Sequence, residues 1–244
     1  MNLFVNEILY TLAGIVAVLF VFVPHEFAHA FIAYKNGDAT AKMYGRMTLN
    51  PIKHIDPIGI ILCIFTGFGW AKPVPIDPYN FRHYRKGLFT TAIAGVVTNY
   101  IIAFLAYPLF LLIEIYCSPQ TTAAAYILNF FDQSFYLIFL YSLSVFMFNL
   151  LPFNPLDGFR VVESLTREIN PVRRFLRNYG QYILIGLVLE SFICGRVARY
   201  ADLEFLKYFN ILGYVQWFAL NIVGFPITAL WNVIFGLPVG LGGL

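Results

Sequence analysis

The sequence predicts an all-α, polytopic integral membrane protein with a three-span core, a short membrane-associated β element and one or two further spans toward the C-terminus. Three observations predict it. Of the 244 residues, 59% are hydrophobic and only 12% charged, with a mean hydropathy of +0.71, whereas soluble domains carry roughly a quarter charged residues. Apolar runs long enough for a bilayer, about 20 residues, occur at 8–33, 88–115 and 123–151. Basic residues crowd two of the regions outside these runs and are missing from others. The small net charge of +3, with no basic patch interleaved with aromatics, excludes nucleic acid as a partner. Cys63, Cys117 and Cys194 stand singly with no CxxC spacing and read as inert thiols. No cleavable signal peptide is expected, because the N-terminus lacks a basic region ahead of the first apolar run.

The first span, Ile8 to Ala33, exceeds the bilayer's need and should tilt or project. Pro24 lacks an amide proton and crowds the carbonyl near Phe20, so a kink is expected there. Directly after it comes His25-Glu26-Phe27-Ala28-His29. Histidines four apart share one helix face, where both imidazoles reach one metal ion. The intervening glutamate can take the proton of a water at that ion. This is the HExxH arrangement of zinc hydrolases. The alternative is a hydrogen-bonded histidine pair on a packed helix face, but ionisable groups in membrane spans are costly and usually mark function. At 1.5 Å per residue, His29 lies roughly 8 Å along the helix from Tyr34, near the end of the span.

Between 35 and 87 the chain is more polar. Met43 to Pro51 reads as a short strand ending in a turn, and Lys53-His54-Ile55-Asp56-Pro57 as a local turn. Ile58 to Phe65 is apolar but too short to span, which suits a re-entrant or interfacial element. Trp70 to Ile76 must be extended, because Pro73 and Pro75 forbid a helix. The second span, 88–115, carries Asn99 inside and Glu114 at its far end. Asn99 reads either as an interhelical hydrogen bond or as a binder of a polarised carbonyl. The third span, 123–151, ends at Pro152 and Pro155, followed by an amphipathic helix to about Arg167 that Asp157 can cap. These elements form a core over 1–167. In the remainder, 168–244, Tyr182 to Ile193 is a weaker apolar run, while Tyr208 to Leu244 has no charged residue and room for a span interrupted at Gly224 and Pro226.

Eight Lys and Arg residues lie between 35 and 87 and five between 160 and 177, but none precedes the first span or lies in 116–122. By the positive-inside rule the first and third spans both end in the cytoplasm. Arg196, Arg199 and Lys207 would fall outside if Tyr182–Ile193 spans, which counts against that span. A zinc hydrolase needs a third protein ligand. His54, Asp56, Asp77, His83 and Asp157 are the candidates on the cytoplasmic side, and Asp157 is the one attached to the end of a span.

Several stretches together resemble the site-2 protease family of intramembrane zinc metalloproteases, in its compact prokaryotic form. They are His25–Ala30, Asn50-Pro51 through Gly59, Gly69 to Pro75, Ala94-Gly95 with Asn99, and Asn149 to Pro152 through Pro155-Leu156-Asp157-Gly158. The resemblance implies Zn2+ held by His25, His29 and Asp157, Glu26 as catalytic base, and Asn99 positioning the substrate. It also implies a sheet near the site, including Trp70–Ile76, that receives an extended substrate. The implied reaction is hydrolysis of peptide bonds in or beside transmembrane segments of other membrane proteins, within the lipid bilayer of the cell membrane and with the active site toward the cytoplasm. Val96 stands where the family usually has proline, Phe159 replaces a common second glycine, and Asp77 replaces a frequent asparagine. These departures bear on backbone shape and leave the proposed ligands intact. The 35–87 region is too short for a PDZ domain beside these motifs. The rival readings are a metal or proton transporter using intramembrane His, Glu and Asp, and a non-catalytic scaffold.

Overall fold

The computed structural model describes residues 3–59, 71–197 and 204–239. Three long helices form its centre: α1 (Leu3–Asn36), which also leads into the short α2 (Thr40–Met43), α3 (Tyr84–Tyr116) and α4 (Thr122–Leu150). A short helix α5 (Asp157–Leu165) follows, then α6 (Pro171–Phe192), α7 (Ile211–Phe218) and α8 (Phe225–Ile234). A π-turn over Ala219–Val223 joins α7 to α8. Among the described residues, four stretches are long and apolar enough to cross a membrane: α1, α3, α4 and the composite Ile211–Ile234. The chain is a multi-pass membrane protein. Helix α6, which contains the weaker run Tyr182–Ile193 except for its last residue, is not among the four.

Helices α1, α3 and α4 pack on one another. Ala13, Ala17, Ala103 and Ala106 lie buried in this core beside Leu137, Phe139 and Leu143. Small side chains let helix backbones approach closely where lipid supplies no hydrophobic drive for association. Large residues such as Phe20, Ile101 and Leu105 point outward, as a lipid-facing surface requires. Helix α8 is fixed to α3 by polar contacts: Trp231 Nε1 donates to the Phe104 carbonyl at 3.1 Å, and the Tyr107 hydroxyl donates to Asn232 Oδ1 at 3.0 Å.

The three core spans come close to their expected limits, with α1 running unbroken through Pro24. Two local expectations differ. No strand is present among the described residues. Met43 ends α2, and Gly45 at φ +63 closes that helix with its N–H on the Lys42 carbonyl. A left-handed glycine is a common helix stop, and here it takes up the residues expected to begin a strand. Residues 71–77 form neither helix nor paired strand, and Asp77 at their end has extended backbone angles. Except for Ile58 and Gly59, the expected re-entrant run Ile58–Phe65 lies outside the described residues, as do Gly69 and Trp70. The second difference is at Asp157, which starts α5 but does not cap it; Leu156 is the cap residue and no side chain serves. The carboxylate of Asp157 is directed elsewhere.

Candidate metal centre

The carboxylate of Asp157 meets the histidine pair. Its Oδ2 lies 3.4 Å from His25 Nε2 and 3.1 Å from His29 Nε2, and the two Nε2 atoms are 3.0 Å apart. His25 and His29 are each 4% exposed and Asp157 7%. Of the other candidates for a third ligand, none joins this cluster among the described residues. His54 Nε2 donates to the Thr48 carbonyl, Asp56 accepts from the N–H groups of Ile58 and Gly59, and Asp77 accepts from Tyr79 N–H. His83 precedes α3 without a capping bond.

The donor set fits a metal ion by a simple test. Ligands about 2.0–2.2 Å from a tetrahedral zinc lie roughly 3.3–3.5 Å from one another, and the three observed separations fall at or slightly below that spacing. The proton positions agree. His29 Nδ1 lies 2.7 Å from the Thr91 carbonyl oxygen, which can only accept, so this nitrogen carries a proton and the neutral ring presents a lone pair at Nε2. A lone pair on Nε2 facing a carboxylate oxygen is repulsive without a cation between them. Consistent with that, Asp157 Oδ2 is buried with no hydrogen-bond donor aimed at it.

The fold supplies this convergence from three places. Residue 29 lies near the C-terminal end of α1, Thr91 in the first third of α3 and Asn99 at its middle, and Asp157 just beyond α4. Gly95 on α3 makes the approach possible. A Cβ there would stand 2.6 Å from His25 Cε1 and press still closer on His29 Nε2. Gly158 plays the same part beside Asp157, because a Cβ would collide with the Leu150 and Leu151 carbonyls at the end of α4. Val96 is buried within an unbroken α3, and Phe159 is buried in α5. Neither departure from the family pattern displaces a ligand.

Glu26 is 8% exposed, and its Oε2 accepts the Val74 N–H at 2.7 Å. The extended 71–77 segment therefore lies directly over the proposed base. Several bonds hold it there. Arg46 Nη2 donates to the carbonyls of Lys72 at 2.8 Å and Pro73 at 3.3 Å. Lys72 N–H donates to the His54 carbonyl at 2.9 Å, and Asp77 N–H donates to Asp38 Oδ2 at 2.8 Å. Val74 itself packs on Ala30 and Ala41. Arg46, Asp38 and Thr91 had no sequence signal of their own. A basic residue and an acid in a polar loop look like solvated charges, and a backbone carbonyl has no signature at all. Asn99 is wholly buried on α3, with its amide nitrogen placed 3.2 Å from His25 Nδ1.

The chain was compared with known proteins. A family model described as peptidase family M50 matches residues 13–191. A Bacillus subtilis protein named "Putative zinc metalloprotease YwhC" is 44% identical over 151 residues, covering 62% of this chain and 68% of that protein. "Putative zinc metalloprotease Rip2" of Mycolicibacterium smegmatis is 26% identical over 172 residues, covering 68% of this chain and 62% of that protein. No solved structure matches the chain significantly.

Proposed function

This chain belongs to peptidase family M50, and from that premise we propose that it hydrolyses peptide bonds in or next to transmembrane segments of other membrane proteins. The class of enzyme is a membrane zinc metalloprotease. The observation that carries the finer reading is the burial of the His25–His29–Asp157 cluster between spanning helices, with Glu26 beside it.

In this reading His25, His29 and Asp157 hold the zinc. When bound, zinc polarises a carbonyl and makes a water molecule acidic near neutral pH. Glu26 accepts the proton of the attacking water and delivers it to the amine that leaves. Val74 N–H, donating to Oε2, keeps that carboxylate oriented toward the cluster. A helical substrate hides its carbonyls in its own hydrogen bonds, so it must unwind before cleavage. The carbonyls of Val74, Pro75 and Ile76, which none of the bonds named above engages, are the edge offered to a substrate strand, the role foreseen for the β element. Residues 1–167 carry the chemistry, and 168–244 add a further membrane region. The protein lies in the cell membrane with the site toward the cytoplasm, the side to which basic residues assign both ends that meet at the metal.

The test is reconstitution in liposomes with a single-span substrate and mapping of the cut by mass spectrometry. Cleavage within or just beside the apolar segment, abolished by chelation and restored by zinc, is expected. Zinc flux across the vesicle with no peptide product would replace the protease by a transporter.

A further inference from the structure

We propose that Asn99 is a positioning residue for the metal ligand His25, with its carbonyl Oδ1 accepting the Nδ1–H of that ring. The inference rests on the reading of His25, His29 and Asp157 as metal ligands, and it assigns Asn99 a task different from holding substrate.

The imidazoles of His25 and His29 meet edge-on, their ring centroids 4.5 Å apart. Both Nε2 atoms point at Asp157 Oδ2 and at each other. Each must present a lone pair to serve as a metal ligand, so each ring must carry its proton on Nδ1. For His29 the Thr91 carbonyl enforces this at 2.7 Å. For His25 the group beside Nδ1 is the Asn99 carboxamide, 3.2 Å away. The two ends of a carboxamide are nearly isosteric, and a half-turn exchanges them without moving another atom. With the NH2 end toward the ring, Nδ1 must accept, and the proton is forced onto Nε2, where it points into the cluster and blocks a cation. In that orientation Oδ1 is also left buried with no partner. With the carbonyl end toward the ring, Oδ1 gains a donor and Nε2 is freed for the metal. The carbonyl end therefore faces His25.

The two histidines are then held by equivalent devices from one helix. A backbone carbonyl at Thr91 fixes one tautomer, and a side-chain carbonyl eight residues later fixes the other. Partners of this kind, one bond removed from a metal, typically change metal affinity by about 10–100-fold when removed. Asn99 is wholly buried, and a carbonyl already bonded to an imidazole does not turn to a substrate.

The substitutions that separate donor from acceptor are Asn99→Asp and Asn99→Ala, measured in purified full-length protein for zinc affinity by chelator competition and for kcat and KM. An ionised aspartate can only accept. Asn99→Asp is expected to keep zinc affinity within about threefold of wild type or to tighten it, while Asn99→Ala weakens it about 10–100-fold. A 15N NMR spectrum of the zinc-free protein should show His25 protonated at Nδ1 in wild type and Asn99→Asp, and shifted toward the Nε2-protonated form in Asn99→Ala. If Asn99→Ala does not fold, Asn99→Asp and the wild-type tautomer decide. Weakened zinc in Asn99→Asp, or His25 protonated at Nε2 in wild type, overturns the proposal. So does unchanged zinc affinity with a raised KM in Asn99→Ala, which would make Asn99 a substrate contact. Asp157→Ala serves as the control. Unchanged zinc binding in that variant refutes the ligand reading itself, whereas loss of zinc there with the overturning results at Asn99 refutes this inference alone.

Discussion

Gly95 sets how closely the α3 backbone can approach the two imidazoles, and its lack of a side chain is a condition for the metal site. A methyl group at this position would fall inside the contact distance of both His25 and His29. Both rings are buried, so the clash falls on the geometry of the candidate ligands. Overpacking of a dense interior costs about 1–3 kcal/mol, equivalent to roughly 10–100-fold in binding. Gly95→Ala should therefore lose zinc affinity by about that factor while the protein remains folded, measured by zinc titration alongside circular dichroism. Wild-type affinity in the alanine variant would show that the rings do not bind where they lie. At this scale the sequence was informative where chemistry is concentrated in side-chain identity. His25, Glu26 and His29 could be read from spacing alone, because a helix converts a separation of four into a shared face. Thr91 could not, because its contribution is a main-chain oxygen.

At the scale of elements, the 71–77 segment is the part that touches Glu26, through the Val74 N–H. It is held by side chains distant in sequence, Arg46 and Asp38, and not by a strand ladder. Arg46→Ala releases two carbonyls and leaves the metal ligands untouched. Its kcat should fall about 10–100-fold with zinc content unchanged, as read by steady-state kinetics and metal analysis. Loss of zinc in parallel would place Arg46 in the metal site instead. Asp38 gives this segment a defined response to acid. Burial opposes its ionisation, but hydrogen bonds from Thr40, Asn80 and Asp77 outweigh that and lower its pKa. The stabilisation is therefore complete above the ordinary carboxylate pKa of about 4, and it is lost as pH falls through the lower folded value. Protection from hydrogen exchange over 71–82, taken relative to the intrinsic rate at each pH, should hold from neutral pH down to about 4 and fall only below it, whereas in Asp38→Ala it is low throughout. Proline pattern sufficed to make this segment extended in the sequence. Its anchoring was not legible, because Arg46 and Asp38 lie 26 and 39 residues from the carbonyl and amide they bind.

At the scale of the whole molecule, antiparallel packing explains how residues 128 positions apart form one site. Helix α1 ends, α3 begins and α4 ends on the same side, so His29, Thr91 and Asp157 share a level. The long spans were legible because hydropathy records them almost residue by residue. The C-terminal region was less so: α6 mixes Arg173, Arg174 and Arg177 with apolar residues, and the last span is interrupted by a π-turn. The orientation has a direct probe in Cys117, a free and exposed thiol in the connection from α3 to α4. With the active site toward the cytoplasm, a membrane-impermeant maleimide should label Cys117 from outside intact cells, using a Cys63→Ser, Cys194→Ser background. Labelling only after the membrane is opened would invert the topology.

The most direct test of the account compares wild type with Glu26→Gln for zinc content and cleavage of a transmembrane substrate in the same preparation. Glutamine preserves shape and the contact to Val74 N–H but cannot accept a proton. The variant should retain stoichiometric zinc and lose about 10²–10⁴-fold in cleavage rate, the usual contribution of a general base. Cleavage at the wild-type rate by zinc-loaded Glu26→Gln would contradict the account.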